Sequence, residues 1–353
     1  MGLGVPNTSA TNSVAIVGAG ISGASLAHAL AQRGWPVTVL DAGNFGASTL
    51  PLGLISPHSS KDDGALSQLS RLGMARMHQA MRDFIEEGVD WMPSGVKTYP
   101  RTGPVSDADA LWQPTAAWVK PSALIQAMLR HPRIDVVRGS PIETLRFDHD
   151  TMRWQAWASG ECIAQTAHVV LAAGPGSLDL LEQATWFPLK AIRGQISWGL
   201  MSETPHAAMP STPVNGRGSF VPRVPTSDGN AWYVGATFDR EHPRLGVTSH
   251  DHTLNLHRLT ELLPRTAQDL ALVFASSVRG WAGVRCTVHD RLPLVGAVPH
   301  AAKGLWMNTA MGSRGLTLGV LCSDILAGLM AQEPSPVHQP LLDAIAPHRF
   351  IRY

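Results

Sequence analysis

Short β-branched apolar runs alternate along this chain with longer stretches whose apolar side chains recur every three to four residues, a pattern that predicts an α/β fold. The first run, Val14–Val17, leads into Gly18-Ala19-Gly20-Ile21-Ser22-Gly23, then a helical stretch over residues 24–33 closed by Gly34. A second run over residues 37–40 ends on Asp41. Residues 64–87 place Leu66, Leu69, Leu72, Met77, Met81, Phe84 and Ile85 at helical spacing, which predicts an amphipathic helix packed on the first unit. Residues 121–130 read as a helix, 134–137 as a strand, and Val169-Val170-Leu171 as a buried strand running into Ala172-Ala173-Gly174. From Gln195 to Ala275 the pattern becomes short strands, such as 219–223 and 231–238, broken by Pro and Gly turns. One helix there carries Asn255, Arg258, Leu259 and Leu262 and is expected to end at Pro264. A last helix runs through Leu318, Leu321 and Ile325, directly after Gly312-Ser313-Arg314-Gly315-Leu316.

Strand, glycine turn, helix, strand, acid is the order of a dinucleotide-binding unit. Gly18 permits the tight turn, Gly20 lets the backbone approach a pyrophosphate, and Gly23 brings the helix close to the sheet. The helix N-terminus offers free N–H groups and partial positive charge to phosphates. Asp41, 18 residues after Gly23, sits where a carboxylate accepts hydrogen bonds from an adenosine ribose and repels a 2′-phosphate, which disfavours NADP. An ordinary glycine turn is the competing reading, and the flanking strands and the acid weigh against it. The loop alone leaves NAD and FAD both open. His28, on the helix behind it, reads as a packing residue.

Composition narrows the class. Lys plus Arg is 28 against 27 for Asp plus Glu, a formal net charge of +1, so the surface as a whole is not shaped for DNA. Charged residues make up 16% and hydrophobic ones 44%, which excludes a disordered chain. The three cysteines, Cys162, Cys286 and Cys322, are far apart, which excludes a disulfide scaffold or zinc ribbon and is consistent with a reducing cytoplasm. Fifteen histidines are scattered without an HExxH motif, and neither a P-loop nor a Ser-His-Asp triad is recognisable, so no metal is expected. Residues 1–13 form a polar tail unlike a secretory signal, and no run of about 18 uninterrupted apolar residues occurs. The expectation is a soluble cytoplasmic protein without a membrane span.

Several stretches then act together: the 18–23 loop, Ala172-Ala173-Gly174, Trp112-Gln113-Pro114 through Ala117 to Pro121, and Ile192-Arg193-Gly194-Gln195. So do Gly235 to Asp239, Ala282 to Cys286, Asp290 to Gly296, and Gly312 to Leu316. On these the chain resembles, from Val14 to about Arg349, the glycine/D-amino-acid oxidase (DAO) family of FAD enzymes. It resembles in particular the FAD-dependent oxidase domain of bifunctional tRNA 5-methylaminomethyl-2-thiouridine biosynthesis enzymes. The resemblance implies an α/β chain, α+β overall, with a Rossmann-like FAD domain of the glutathione-reductase/DAO type and a smaller antiparallel-sheet substrate domain. Residues 1–90, 120–190 and 275–353 are assigned to the first, 91–119 and 191–274 to the second. It implies a non-covalent FAD held by Gly18, Gly20, Ile21, Ser22, Gly23, Asp41, Ala47, Ser48, Gly53, Val137, Ala172, Ala173, Gly174, Gly194, Gly312, Ser313, Arg314, Gly315 and Leu316.

Arg285 matches the family position that grips a substrate carboxylate, for which a planar guanidinium with two parallel hydrogen bonds is suited; pairing with an acid such as Asp290 is the alternative. Arg314 matches a position near the pyrimidine edge of the flavin, or else is a solvent-facing side chain. Arg193 faces either the active site or a domain seam. Cys286 is read as a packed thiol rather than a flavin attachment point. Phe220 stands where glycine-oxidising relatives place a Tyr and is counted with the catalytic residues. Ala47-Ser48-Thr49-Leu50 departs from the Ala-Ser-Gly-Asn of the tRNA-modifying members. With about a dozen residues ahead of the first strand, the methyltransferase region of those enzymes is not expected in this chain.

The implied activity is an FAD-dependent amine oxidase that takes a hydride from the Cα of a glycine-like secondary amine and releases glyoxylate. Its substrate is a small amine or amino acid, or the carboxymethylaminomethyl group of a tRNA wobble uridine, and dioxygen is the expected electron acceptor. No DNA and no membrane partner is expected. Oxidation of a free amino acid or N-alkylglycine is the alternative within the class. A flavin-binding protein without turnover and an NAD-dependent dehydrogenase are alternatives outside it.

Overall fold

In the computed structural model the residues described are 12–43, 46–58, 62–100, 106–181, 187–204, 206–240 and 246–351; the polar tail, up to residue 11, lies outside them. A six-stranded sheet runs in the order Leu294–Ala297, Leu305–Thr309, His168–Leu171, Val14–Val17, Val37–Asp41, Ile134–Arg138. All neighbours are parallel except the first pair. Val14, Ala15 and Ile16 have no exposed surface, as a parallel strand covered on both faces requires. The helix Ile21–Gln32 crosses from the first strand to the second, and the helix Gly315–Met330 packs beside it in one apolar cluster with Leu26, Leu30, Leu318 and Ile325.

The stretch Gly312–Met330 is long and apolar enough to cross a membrane, which the absence of an uninterrupted apolar run did not anticipate. Its surroundings account for its composition: Leu318, Leu321, Cys322, Ile325 and Leu326 are all buried between the sheet and neighbouring helices.

A seven-stranded sheet, mainly antiparallel, stands beside this unit in the order Arg279–Thr287, Lys190–Leu200, Gly229–Gly235, Ser219–Thr226, Val214–Asn215, Val96–Thr98, Leu111–Gln113. One face carries the helices Ser249–Leu262 and Pro264–Ser276, around Phe220, Trp232, Leu259 and Leu270. The other meets the first unit through Ile196, Val221, Tyr233, Leu52 and Trp118. Pro264 ends one helix and opens the next, since proline at the first helical position loses no hydrogen bond; the strand-rich reading of residues up to 275 missed this second helix.

The sheets also place the seam differently from the sequence-based division. Arg279–Thr287 pairs along Lys190–Leu200 and belongs to the large sheet. Trp91–Met92 and Ala117–Val119 pair with each other, the latter also with Gly53–Ile55, in a small sheet under the first unit. A further three-stranded sheet, Thr144–Asp148, Arg153–Ala158 and Glu161–Thr166, fills the crossover before His168–Leu171.

Candidate active site

A cleft of about 590 Å³ opens at the carboxyl ends of the parallel strands and runs to the edge of the large sheet. This is where an open α/β sheet places its ligand. At one end lie Asp41 and Arg138, in the middle the 18–22 loop and Ala172 to Gly176, and at the other end Val284, Arg285, Met311, Gly312 and Gly315.

The loop geometry follows from its glycines. Gly18 has φ +107°, which side-chain-bearing residues rarely adopt. A Cβ on Gly23 would run into the carbonyl oxygen of Gly18, so the helix can approach the loop only with glycine there. Gly20 gives the helix Ile21–Gln32 no capping side chain and its first turn holds no acid, so beyond the Ile21 N–H its N-terminus is left to an anion. Ser48 Oγ accepts from Ile21 N at 3.0 Å and Asp41 Oδ1 from Ala19 N at 3.3 Å, tying both to the loop. Anion-seeking helix end, carboxylate, and flanking apolar walls fit an extended dinucleotide cofactor.

Gly18, Gly20, Ile21, Ser22, Asp41, Ala47, Ser48, Ala172, Ala173, Gly174, Gly312 and Gly315 line the cleft, as does Arg285. Gly23 lies beneath the loop. Val137 does not reach the cleft: it packs in the core between sheets, and the next residue, Arg138, lines it instead. Gly53 is covered by the Leu316 side chain, so these two pack on each other rather than on a ligand. Ser313 is exposed and outside the lining, and Arg314 lies beside His58, with Nη2 to Nδ1 3.4 Å. Phe220 is the clearest correction. It is fully buried against Trp232, Leu259 and Leu270 on the helix-covered face of the sheet, because the strand alternates and Val221, not Phe220, faces the cofactor unit. Ser122, Gln126, Pro141, Ile142, Asp179 and Thr309 also line the cleft and escaped the sequence reading. Ser122 and Gln126 sit on the predicted helix over 121–130, Pro141 and Ile142 beyond the strand that follows it and Asp179 beyond Gly174, while Thr309 ends Leu305–Thr309, a strand the sequence pattern does not mark.

Arg285 has no ion-pair partner among the described residues; the alternative partner Asp290 instead holds Arg349 at 2.9 Å. Its Nη1 donates to Thr237 O at 3.3 Å, and its guanidinium carbon lies 4.5 Å from the Phe238 ring centroid. Burial pushes its pKa down to about 10, so it is a cation at neutral pH, partly desolvated and short of an anion. Gly194 does not touch the cleft; a Cβ there would collide with this guanidinium, so its role is to leave room for it.

The segment carrying Thr237 and Phe238 is braced from the opposite face of the sheet. Arg193 and Asp239 exchange backbone hydrogen bonds, Thr237 N donates to Gln195 O at 3.0 Å, and Gln195 N donates to Thr237 Oγ1 at 3.0 Å. The Arg193 side chain, buried, pairs with Asp251 at 2.6 Å and reaches Gln195 Oε1 at 3.0 Å. It therefore belongs to the brace, not to the cleft. Burial raises the Asp251 carboxyl, but hydrogen bonds from Thr248, Thr237 and Arg193 and the charge of Arg193 outweigh it and leave the pKa below the ordinary value. A depressed carboxylate stabilises the fold fully above about pH 4, and that contribution is lost as pH falls through the lower, folded-state value. Asp251→Asn is expected to lower Tm by several degrees near pH 7, with the gap to wild type shrinking below pH 4; thermal melts across pH 3–7 check both.

The family profile described as DAO, FAD dependent oxidoreductase, matches residues 13–103 and 97–329. A tRNA 5-methylaminomethyl-2-thiouridine biosynthesis bifunctional protein of Polaromonas naphthalenivorans (strain CJ2) is 39% identical over 376 residues, covering 94% of this chain and 59% of that protein. Its counterpart in Paracidovorax citrulli (strain AAC00-1) is 38% identical over 96% of this chain and 60% of its own length. The chain thus spans about three-fifths of these relatives. Among solved structures, glycine oxidase from Geobacillus kaustophilus superposes with a TM-score of 0.78 at 19% identity over 96% of this chain and 99% of that one. Iminodiacetate oxidase from Chelativorans sp. BNC1 gives 0.73 at 22% identity over 95% and 98%.

Proposed function

The chain belongs to the DAO family of FAD-dependent oxidoreductases, and from that premise we propose that it oxidises a glycine-like secondary amine. A hydride leaves the substrate Cα, and the resulting imine is split by water into glyoxylate and a shorter amine. FAD, when bound, supplies the acceptor for that electron pair, which dioxygen then removes as hydrogen peroxide. The observation that carries this reading is Arg285: a desolvated guanidinium without an acidic partner among the described residues, at the end of a cofactor cleft. Two charge-assisted hydrogen bonds from it orient a carboxylate and so hold the adjacent Cα in one place.

The lining of the cleft supports the remaining roles in this reading. The helix start at Ile21 receives the cofactor's pyrophosphate and Asp41 its ribose, while Gly312 and Gly315 bring backbone to the flavin end. The fold needs no protein base if the amine enters unprotonated. Burial pushes the Cys286 thiol up to about 11, so at neutral pH it is not the thiolate that covalent attachment needs. Acid precipitation is expected to leave all the yellow colour in the supernatant and a colourless pellet.

The finer version places the amine on tRNA as a carboxymethylaminomethyl-uridine, in the cytoplasm, and rests on the relatives' tRNA-biosynthesis description. Anaerobic mixing of the yellow protein with N-methylglycine tests the oxidase; loss of visible absorbance and release of glyoxylate are expected, and an unbleached flavin with every carboxylated amine tried would refute it. Nucleoside analysis of tRNA from cells with and without the gene separates the tRNA-borne substrate from a free one.

A further inference from the structure

In a hydrogen-bonded pair of an antiparallel ladder the two residues exchange both backbone bonds, each N–H donating to the other's carbonyl. Arg193 and Asp239 make this exchange, and the register they set brings Thr237 opposite Gln195, two residues away along each segment. There only half of the exchange is made. Thr237 N donates to Gln195 O at 3.0 Å, but Gln195 N donates to Thr237 Oγ1, also at 3.0 Å, and not to the Thr237 carbonyl. That carbonyl oxygen accepts from Arg285 Nη1 at 3.3 Å. The hydroxyl thus takes the place in the ladder of its own residue's carbonyl, and the carbonyl is left to the guanidinium. Thr237 and Gln195 are both buried, so water does not substitute for either partner. The Thr237 hydroxyl donates its hydrogen to Asp251, which turns a lone pair of the same oxygen to Gln195 N. Arg258, from the helix that carries Asp251, donates to Ala236 O at 2.7 Å and holds the neighbouring carbonyl as well.

The geometry points to Thr237 as a positioning residue for substrate binding: its hydroxyl keeps its carbonyl out of the sheet ladder, and that carbonyl aims Arg285 at the substrate carboxylate. This rests on the oxidase reading above and adds a residue that acts through Arg285. The Phe238 ring and the space over Gly194 let the planar guanidinium rotate, whereas a directed hydrogen bond to one of its nitrogens fixes the fork. Without the hydroxyl, the buried Gln195 N–H either stays unsatisfied or captures the Thr237 carbonyl. Capture completes the ordinary pair and takes the acceptor away from Arg285.

Affinity of the FAD-loaded protein for (methylthio)acetate, a carboxylate in which sulfur replaces the amine, is read from the shift of the visible spectrum. Thr237→Val, which keeps the shape and removes the hydroxyl, is expected to weaken binding about tenfold, as for loss of one hydrogen bond to a charged group. Thr237→Ser, which keeps the hydroxyl, should restore it. KM for N-methylglycine should follow the same order, while KM for a carboxylate-free secondary amine should not move. In Arg285→Ala protein, Thr237→Val should have no further effect, because no guanidinium is left to aim. Thr237→Ala, which also lacks the hydroxyl and fills less space, carries the same test if the valine variant does not fold. Wild-type affinity without the hydroxyl, an equal KM change for both amines, or a loss that persists in the Arg285→Ala background overturns the role. A loss of carboxylate affinity that depends on both the hydroxyl and Arg285, with no amine reducing the flavin, supports the role and instead removes the oxidase reading.

Discussion

Arg285→Ala is expected to raise the KM for a carboxylated secondary amine by roughly two orders of magnitude while the protein keeps its flavin. A hydrogen bond to a charged group contributes about 1.5–3 kcal/mol, so losing two of them costs at least about 3 kcal/mol, or about a hundredfold. The cofactor is retained because the pyrophosphate loop lies on the other unit and shares no hydrogen bond with Arg285. Arg285→Lys should recover only part of the loss, since a point-like ammonium cannot offer two parallel donors. Substrate saturation curves with N-methylglycine, compared with a carboxylate-free secondary amine, provide the check. An unchanged KM for the carboxylated amine would take Arg285 out of the substrate site.

Gly23→Ala is expected to yield a colourless or weakly yellow protein, with FAD affinity reduced on the order of a hundredfold. The new methyl group would fall onto the Gly18 carbonyl oxygen, which is backbone and cannot swing aside. The loop and the helix must then separate, and the helix N-terminus no longer faces the pyrophosphate. Gly34→Ala is the control: nothing lies within 4 Å of its Cβ position, so although φ +84° strains the substitution, the cleft is untouched. It should cost stability and spare the flavin. The flavin-to-protein absorbance ratio and a titration of added FAD measure both variants; full retention of FAD by Gly23→Ala would contradict the packing described for the loop.

Much of the cofactor unit was legible in one dimension because its determinants are local. Buried parallel strands are continuous apolar runs, and a glycine loop must stand between a strand and the helix whose N-terminus it exposes. Val17 to Ser22, Asp41, Ala172 to Gly174 and Gly312, all within motifs marked in the sequence, therefore line one cleft. Arg285 was singled out by its likeness to a family position, and the structure adds that no described acid neutralises it.

Which face a side chain takes was not legible in the same way. Phe220 and Val221 are adjacent and both apolar, and only the pairing of Ser219–Thr226 in a sheet covered on both sides sends Phe220 to the helices. Gly194 reads as a ligand-contacting glycine in a motif, but it serves a side chain that reaches it from the neighbouring strand, 91 residues on. Arg193 and Asp251 become partners only when a helix lies across the sheet. The sequence alone thus determined the class of cofactor unit and the positions of its backbone turns, because those depend on neighbours within a few residues. The tertiary structure decided which side chains share the cleft, since strand pairing and helix docking, contacts distant along the chain, choose the face on which each one lies.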